Sequence, residues 1–143
     1  MKKNKLSRQS GFTLLEILLV VVIIGMLVSV AVVRLSGSSQ KAKLVATQHQ
    51  IDSYKTALGV YELDNGVFPS TEQGLQALIT TPGGGTYPNW KGPYLDPPVI
   101  RPDPWGRNYI YRYPGQKNPT GYDLYSPGPN GTEGDEDDIG NWQ

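Results

Sequence analysis

From Leu14 to Val33 every position is apolar except Glu16, Gly25 and Ser29. A helix rises ~1.5 Å per residue, so this run reaches ~30 Å, the hydrocarbon thickness of a bilayer. The pattern then changes. Leu44, Thr47, Ile51, Tyr54, Leu58 and Tyr61 recur at spacings of three and four, with Lys43, Gln50, Asp52, Lys55 and Glu62 mostly between them. That is one apolar stripe on a helix whose other side is wet. Ser36-Gly37-Ser38-Ser39 is a weak spot between the two patterns, but it holds no proline, so it bends or loosens a helix without ending it. Asn65-Gly66 supplies a C-terminal stop. The expectation is one helix of about fifty residues, lipid-type in its first half and core-type in its second.

Beyond Asn65 the periodicity shortens. Ser70 and Gln73 have capping-box spacing, and Leu75, Leu78 and Ile79 give the following segment an apolar face, so a second short helix is predicted. Thr81-Pro82-Gly83 ends it. Asp103-Pro104-Trp105-Gly106 reads as a tight turn: Asp at the first corner, Pro fixing φ at the second, Gly closing it. Alternating Tyr109, Tyr111 and Tyr113 mark a strand over Asn108–Tyr113, and Tyr122–Ser126 a second, with Pro114–Gly121 as the loop between. The fold class is therefore α+β: a long N-terminal helix packed on a small antiparallel sheet, with a loop-rich C-terminus.

Charge refines this. Met1–Gly11 carries Lys2, Lys3, Lys5 and Arg8 and no acid, directly before the apolar run. A secretory signal would have a shorter apolar region and a small-residue cleavage site after it, and Ala31–Ser39 offers none that convinces. A plain membrane anchor accounts for the basic flank but gives no reason for Glu16, because an ionisable group in lipid costs at least ~2.5–3.5 kcal/mol. Without Met1–Gly11 the chain has four more acids than bases, which argues against nucleic acid as a partner. There is no cysteine, so no disulfide framework.

The segment Gly11-Phe12-Thr13-Leu14-Leu15-Glu16, between basic leader and apolar run, resembles the type IV pilin and pseudopilin superfamily. The resemblance implies cleavage between Gly11 and Phe12 by a prepilin peptidase that also methylates Phe12. Glu16 then lies one helical turn from a new α-amine, whose ordinary pKa near ~8 leaves it largely cationic at neutral pH. A buried carboxylate is tolerable when so paired. Spacing allows the pair within one chain or between neighbours; in the resembled family the amine is the neighbour's, and the pair sets the register of a filament. The implied organisation is a leader (1–11), a transmembrane and polymerisation helix (12–35), and a periplasmic head (36–143).

Pro69-x-Thr71-Glu72-Gln73-Gly74-Leu75-x-Ala77-Leu78, then Gly92-Pro93-Tyr94-Leu95 and Asp103-Pro104-Trp105-Gly106, resemble the major pseudopilins of type II secretion systems. Against the resembled family, the proline-rich loop from Gly83 to Pro102 is expected to be individual to this chain outside that Gly92–Leu95 match. The last segment, Ser126–Trp142, holds Glu133, Asp135, Glu136, Asp137 and Asp138 with no base, interleaved with glycines. Such a run is commonly a solvated tail. Its glycines, its carbonyls and the apolar residues Ile139 and Trp142 beyond it equally suit a folded loop with the oxygen ligands calcium prefers. It does not match an EF-hand. Aligned on Asp137-Asp138-Ile139-Gly140-Asn141-Trp142, the resemblance implies a structural Ca2+ held by the main chain of Pro127 and Thr132, by Asn130, and by Asp137 and Asp138. Many members carry Asp where this chain has Asn130, so one negative charge is missing.

No catalytic arrangement is present in the sequence. There is one histidine, His49, lying off the apolar stripe, and no phosphate-cradling or G-x-S-x-G motif. The reading is a non-enzymatic structural subunit of a periplasmic pseudopilus, anchored in the bacterial inner membrane with its head in the periplasm, that helps move folded exoproteins across the outer membrane. The implied partners are copies of itself, the processing peptidase and methyltransferase, minor pseudopilins, the inner-membrane assembly platform and membrane lipid. The rival readings are a type IV pilus subunit for adhesion or DNA uptake, and a monomeric membrane-tethered calcium-binding module.

Overall fold

The computed structural model describes residues 11–83 and 87–143, the side chains of 30–38 excepted. The leader's basic residues lie outside the described residues. The dominant element, α1, runs Leu14–Asn65. It starts at Thr13, which acts as a cap: the Glu16 N–H donates to Thr13 Oγ1 at 3.2 Å and to its carbonyl at 3.1 Å. Satisfying orphan N–H groups this way is worth ~1 kcal/mol. The helix passes through Ser36–Ser39 uninterrupted. It ends where expected, with Gly66 at φ +79° and its N–H on the Glu62 carbonyl at 2.7 Å, a conformation that costs glycine least. The chain divides into two compact units between Ser39 and Gln40.

Within the second unit the stripe becomes core. Thr47, Ile51, Tyr54, Leu58 and Tyr61 are buried, joined by Ala57. Leu44, expected on the same face, is 41 % exposed, because the core cluster begins about two turns further on, at Ile51. Against the stripe pack Leu75, Ala77, Leu78, Tyr109, Tyr111, Leu124 and Ile139. Burying a large apolar side chain contributes ~1.5–3 kcal/mol. Tyr54 and Tyr111 bury their rings and still satisfy their hydroxyls, whereas the Tyr109 hydroxyl is buried without a partner. Tyr54 Oη accepts the Arg101 N–H at 2.9 Å and donates to the Arg101 carbonyl at 3.1 Å. Tyr111 Oη donates to the Pro69 carbonyl at 2.8 Å. Desolvation pushes both hydroxyls above the ordinary tyrosine range, so they stay neutral donors.

The short second helix is 3₁₀, Gly74–Leu78 (η1). The capping box forms in both directions, Gln73 N–H to Ser70 Oγ at 3.3 Å and Ser70 N–H to Gln73 Oε1 at 2.9 Å, but it closes the turn before η1 instead of opening an α-helix. Ala77, not Ile79, shares the core with Leu75 and Leu78.

The sheet has three strands, β1 Ile110–Arg112, β2 Asp123–Ser126 and β3 Ile139–Gly140, in the order β1-β2-β3 and antiparallel throughout. Tyr111 pairs with Leu124, and Ser126 with Ile139. Both expected strands are present but shorter. The third has only two residues, too few for a periodic signal. Trp142 then folds back on β2, its ring 5.3 Å from that of Tyr125. Gly140 makes this possible, since a Cβ there would lie 2.5 Å from the indole. The loop between β1 and β2 is tied by Asp123, whose carboxylate accepts the N–H groups of Gln116, Lys117 and Asn118 at 2.6–2.9 Å.

Candidate functional site

At the N-terminal end, Gly11 and Phe12 lie in non-helical chain just before α1, and Phe12 is 78 % exposed. A peptide bond presented this way is open to a protease. Glu16 occupies the third helical position and is exposed. Thr13-x-x-Glu16 has the form of a capping box, a signal the sequence reading overlooked. Only the Glu16 N–H, and not its carboxylate, makes the contact to Thr13. Acid in a first turn also suits the helix dipole. Every large apolar side chain described from Phe12 to Val28 is exposed. Among the described residues no helix is long and apolar enough to cross a membrane; Val30–Val33 of the apolar run lie beyond the described side chains.

The C-terminal loop leaves β2 at Ser126 and returns at β3. Gly128, Gly131 and Gly134 all have positive φ, +63°, +76° and +91°, so the chain folds back within a dozen residues. Its hub is Asn130. The amide nitrogen donates to Asp135 Oδ2 at 2.8 Å and to Asp137 Oδ2 at 3.0 Å, while its oxygen accepts the Thr132 N–H at 2.6 Å. The structure thus joins Asn130 and Asp137. Pro127's carbonyl takes the Gly131 N–H at 3.2 Å. Asp138 is directed elsewhere: its Oδ2 accepts the Gly134 N–H at 2.8 Å, and it is only 6 % exposed.

Asp138 Oδ1 is buried without a hydrogen-bond partner. An orphaned carboxylate oxygen is expensive, at least ~1–3 kcal/mol, and a cation is the natural remedy in a loop with five acids. The donor set of carboxylates, an amide oxygen and carbonyls is that of a hard cation. Among the described residues no three His, Cys, Asp or Glu side chains converge as a metal cage; the expected set contains only two carboxylates, with amide and main-chain oxygens as the remainder.

Of the other acids, Glu133 is already engaged. Its Oε1 accepts the Tyr125 hydroxyl at 2.6 Å and pairs with Arg112. The Tyr125 hydrogen bond, then Arg112, hold its carboxyl below the usual range. Burial and the same bond push the Tyr125 phenol up. The Arg112 pair, and the Arg107 bonds described below, were not visible in sequence because each joins residues more than twenty positions apart.

Comparison with known proteins agrees with this architecture. The chain matches the family "Type II secretion system (T2SS), protein G" over residues 34–142 and the "Prokaryotic N-terminal methylation motif" over residues 6–32. It is similar to the type II secretion system core protein G of Pseudomonas aeruginosa, 46 % identical over 94 % of this chain and 96 % of that one. Against the protein of the same description from Vibrio cholerae it is 42 % identical over 97 % and 95 %. The crystal structure of the major pseudopilin from the type 2 secretion system of enterohaemorrhagic Escherichia coli superposes with a TM-score of 0.65 at 38 % identity, covering 74 % of this chain and 87 % of that one.

Proposed function

This chain belongs to the type II secretion system protein G family and is a structural subunit of the type II secretion pseudopilus, and we propose the following division of labour within it. Met1–Gly11 is a leader that a prepilin peptidase removes between Gly11 and Phe12, methylating Phe12. The helix that follows rests in the inner membrane until it is drawn into a filament, where copies of itself replace lipid around it. The observation that carries this is the uniform exposure of Phe12–Val28: at ~25 cal/mol per Å2 of apolar area, so many bare side chains require a cover, and lipid and neighbouring copies are the two covers a filament subunit meets in turn. Glu16 is the polar group in that cover, neutralised on assembly by the α-amine of a neighbouring Phe12.

The head stands in the periplasm and does no chemistry; it is a building block whose partners are other copies, minor pseudopilins and the assembly platform. Asn130, Asp137, Asp138 and the carbonyls of Pro127 and Thr132 would hold a structural Ca2+. That ion supplies the positive charge that lets the acids of the loop pack together. Asp138 Oδ1, orphaned and buried, supports this placement. The chain's own residues do the remainder: glycines fold the loop, Ile139 and Trp142 pin its far end to the head, and Asn130 joins its two limbs.

The test is complementation. In cells whose type II system lacks its own major pseudopilin, the chain should be recovered with a mature mass beginning at methylated Phe12, form cross-linked ladders and restore export. A mature chain starting elsewhere, or correct processing with no ladder, would defeat the proposal.

A further inference from the structure

Both backbone groups of Gly128, the first glycine of the C-terminal loop, are held from one distant turn. Ser126 Oγ donates to Asp103 Oδ2 at 2.6 Å and accepts the Gly128 N–H at 3.2 Å. The Gly128 carbonyl accepts from Arg107 Nη1, and the next carbonyl, of Pro129, from Nη2 at 3.2 Å. The turn itself is closed in both directions. The Asp103 N–H donates to the Arg107 carbonyl at 2.7 Å, and Asp103 Oδ1 accepts the Arg107 N–H at 2.8 Å and the Trp105 N–H at 3.0 Å. Asp103 is 3 % exposed and Ser126 fully buried, so water does not compete for the bonds that Ser126 makes to Asp103 and Gly128. Gly131 lies flat against the guanidinium: a Cβ there would sit 2.5 Å from Arg107 Cζ.

We propose that the Asp103–Arg107 turn is the positioning device of the calcium loop, with Arg107 as its principal positioning residue; this rests on the calcium reading given above. The peptide unit is planar, so fixing the Gly128 N–H fixes the direction of the Pro127 carbonyl, one of the expected ligands. Arg107 fixes the two peptide units that follow and so delivers Asn130. Arginine suits this task because its planar fork bonds two acceptors at once, which lysine cannot reproduce.

A guanidinium close to a cation site has two opposite effects. Its charge repels Ca2+, so if Arg107 were merely a neighbour, removing it would tighten binding. If it positions the loop, removing it weakens binding. The sign of the change separates the two. The full-length chain in detergent is titrated with Ca2+ by calorimetry as wild type, Arg107→Gln and Arg107→Lys, and each is melted in chelator. Expected is at least tenfold weaker binding for Arg107→Gln, a smaller loss for Arg107→Lys, and little difference among the three melting temperatures in chelator. Unchanged or tighter binding by Arg107→Gln, with wild type binding normally, overturns the positioning role alone. A wild type that takes up no Ca2+ overturns the calcium reading and this proposal with it. Should Arg107→Gln fail to fold, Arg107→Lys, which keeps the charge and loses the fork, decides by the same criterion.

Discussion

Two stretches of the same helix obey different rules. Around Tyr54 the helix has a single apolar face, and that face is covered: Ile51, Tyr54 and Leu58 have no exposed surface. Around Val22 it is apolar on all sides and covered on none, with Leu14 at 86 % and Val28 at 55 % exposure. A one-faced stripe says that the partner is the chain's own head; an all-round apolar surface says that the partners come from outside. The only charge in the second stretch, Glu16, sits at its beginning, where the helix dipole suits it and where the proposed amine partner would meet it.

Glu16→Gln gives the largest expected effect and separates those roles. Glutamine serves a capping box as well as glutamate does, so a purely local role predicts no change. Pairing with an amine predicts normal insertion and loss of polymerisation, with the membrane level unchanged or higher because the penalty for a charge in lipid is gone. Cross-linked ladders equal to wild type would leave Glu16 only a local role at the helix start.

Truncation within each stretch sharpens the contrast. Tyr54→Ala opens a cavity and orphans the Arg101 backbone, and should cost the head ~3–5 kcal/mol by thermal or urea denaturation of the detergent-solubilised chain. Val22→Ala should leave that transition where it is. A matched loss from both would mean that the membrane-type stretch supports the head, contrary to the division drawn here.

Calcium removal ranks next. A ligand that binds only the folded form stabilises by about 2.7 kcal/mol at a hundredfold excess over Kd. The head should therefore melt several degrees lower in chelator, and Asp138→Ala should erase the difference. Equal melting temperatures for the wild type with calcium and with chelator would make the loop a self-sufficient one, held by Asn130, Arg107 and Arg112.

What could be read in advance follows the same line. Local signals were legible: the long helix, its buried stripe and the tyrosine strand came from spacing, and the stop at Asn65-Gly66 and the Asp103–Gly106 turn came from residues with special backbone preferences. Leu44 was misplaced because periodicity gives a direction but not the edge of the core. Strand β3 was missed because two residues have no period. The least legible features were long-range polar bonds. Asp103 was read as a turn former, which it is through one carboxylate oxygen, while the other reaches Ser126. No local pattern announces a bond between residues twenty-three apart in the chain.

The smallest effect concerns the loop's attachment to the sheet. Glu133 is held below its ordinary pKa of 4.5 by the Tyr125 hydroxyl and then by Arg112. A depressed carboxylate contributes stability that is complete above its unfolded value and is lost as pH falls through its folded value. The window therefore begins near pH 4.5 and extends below it. Arg112 and Glu133 side chains are 35 % and 42 % exposed, so solvent screens the pair and the contribution stays under ~1 kcal/mol. Comparison with Glu133→Gln isolates it from the other acids of the chain. The wild type should be slightly the more stable at pH 6, and the gap should narrow as the pH falls below 4.5. It should also narrow in high salt, because Arg112 acts by charge whereas Tyr125 does not. A gap that stays unchanged throughout the acid range below pH 4.5 would mean that Glu133 holds the loop by shape and neutral hydrogen bonding, and that the acidic segment is fastened to the sheet without its charge.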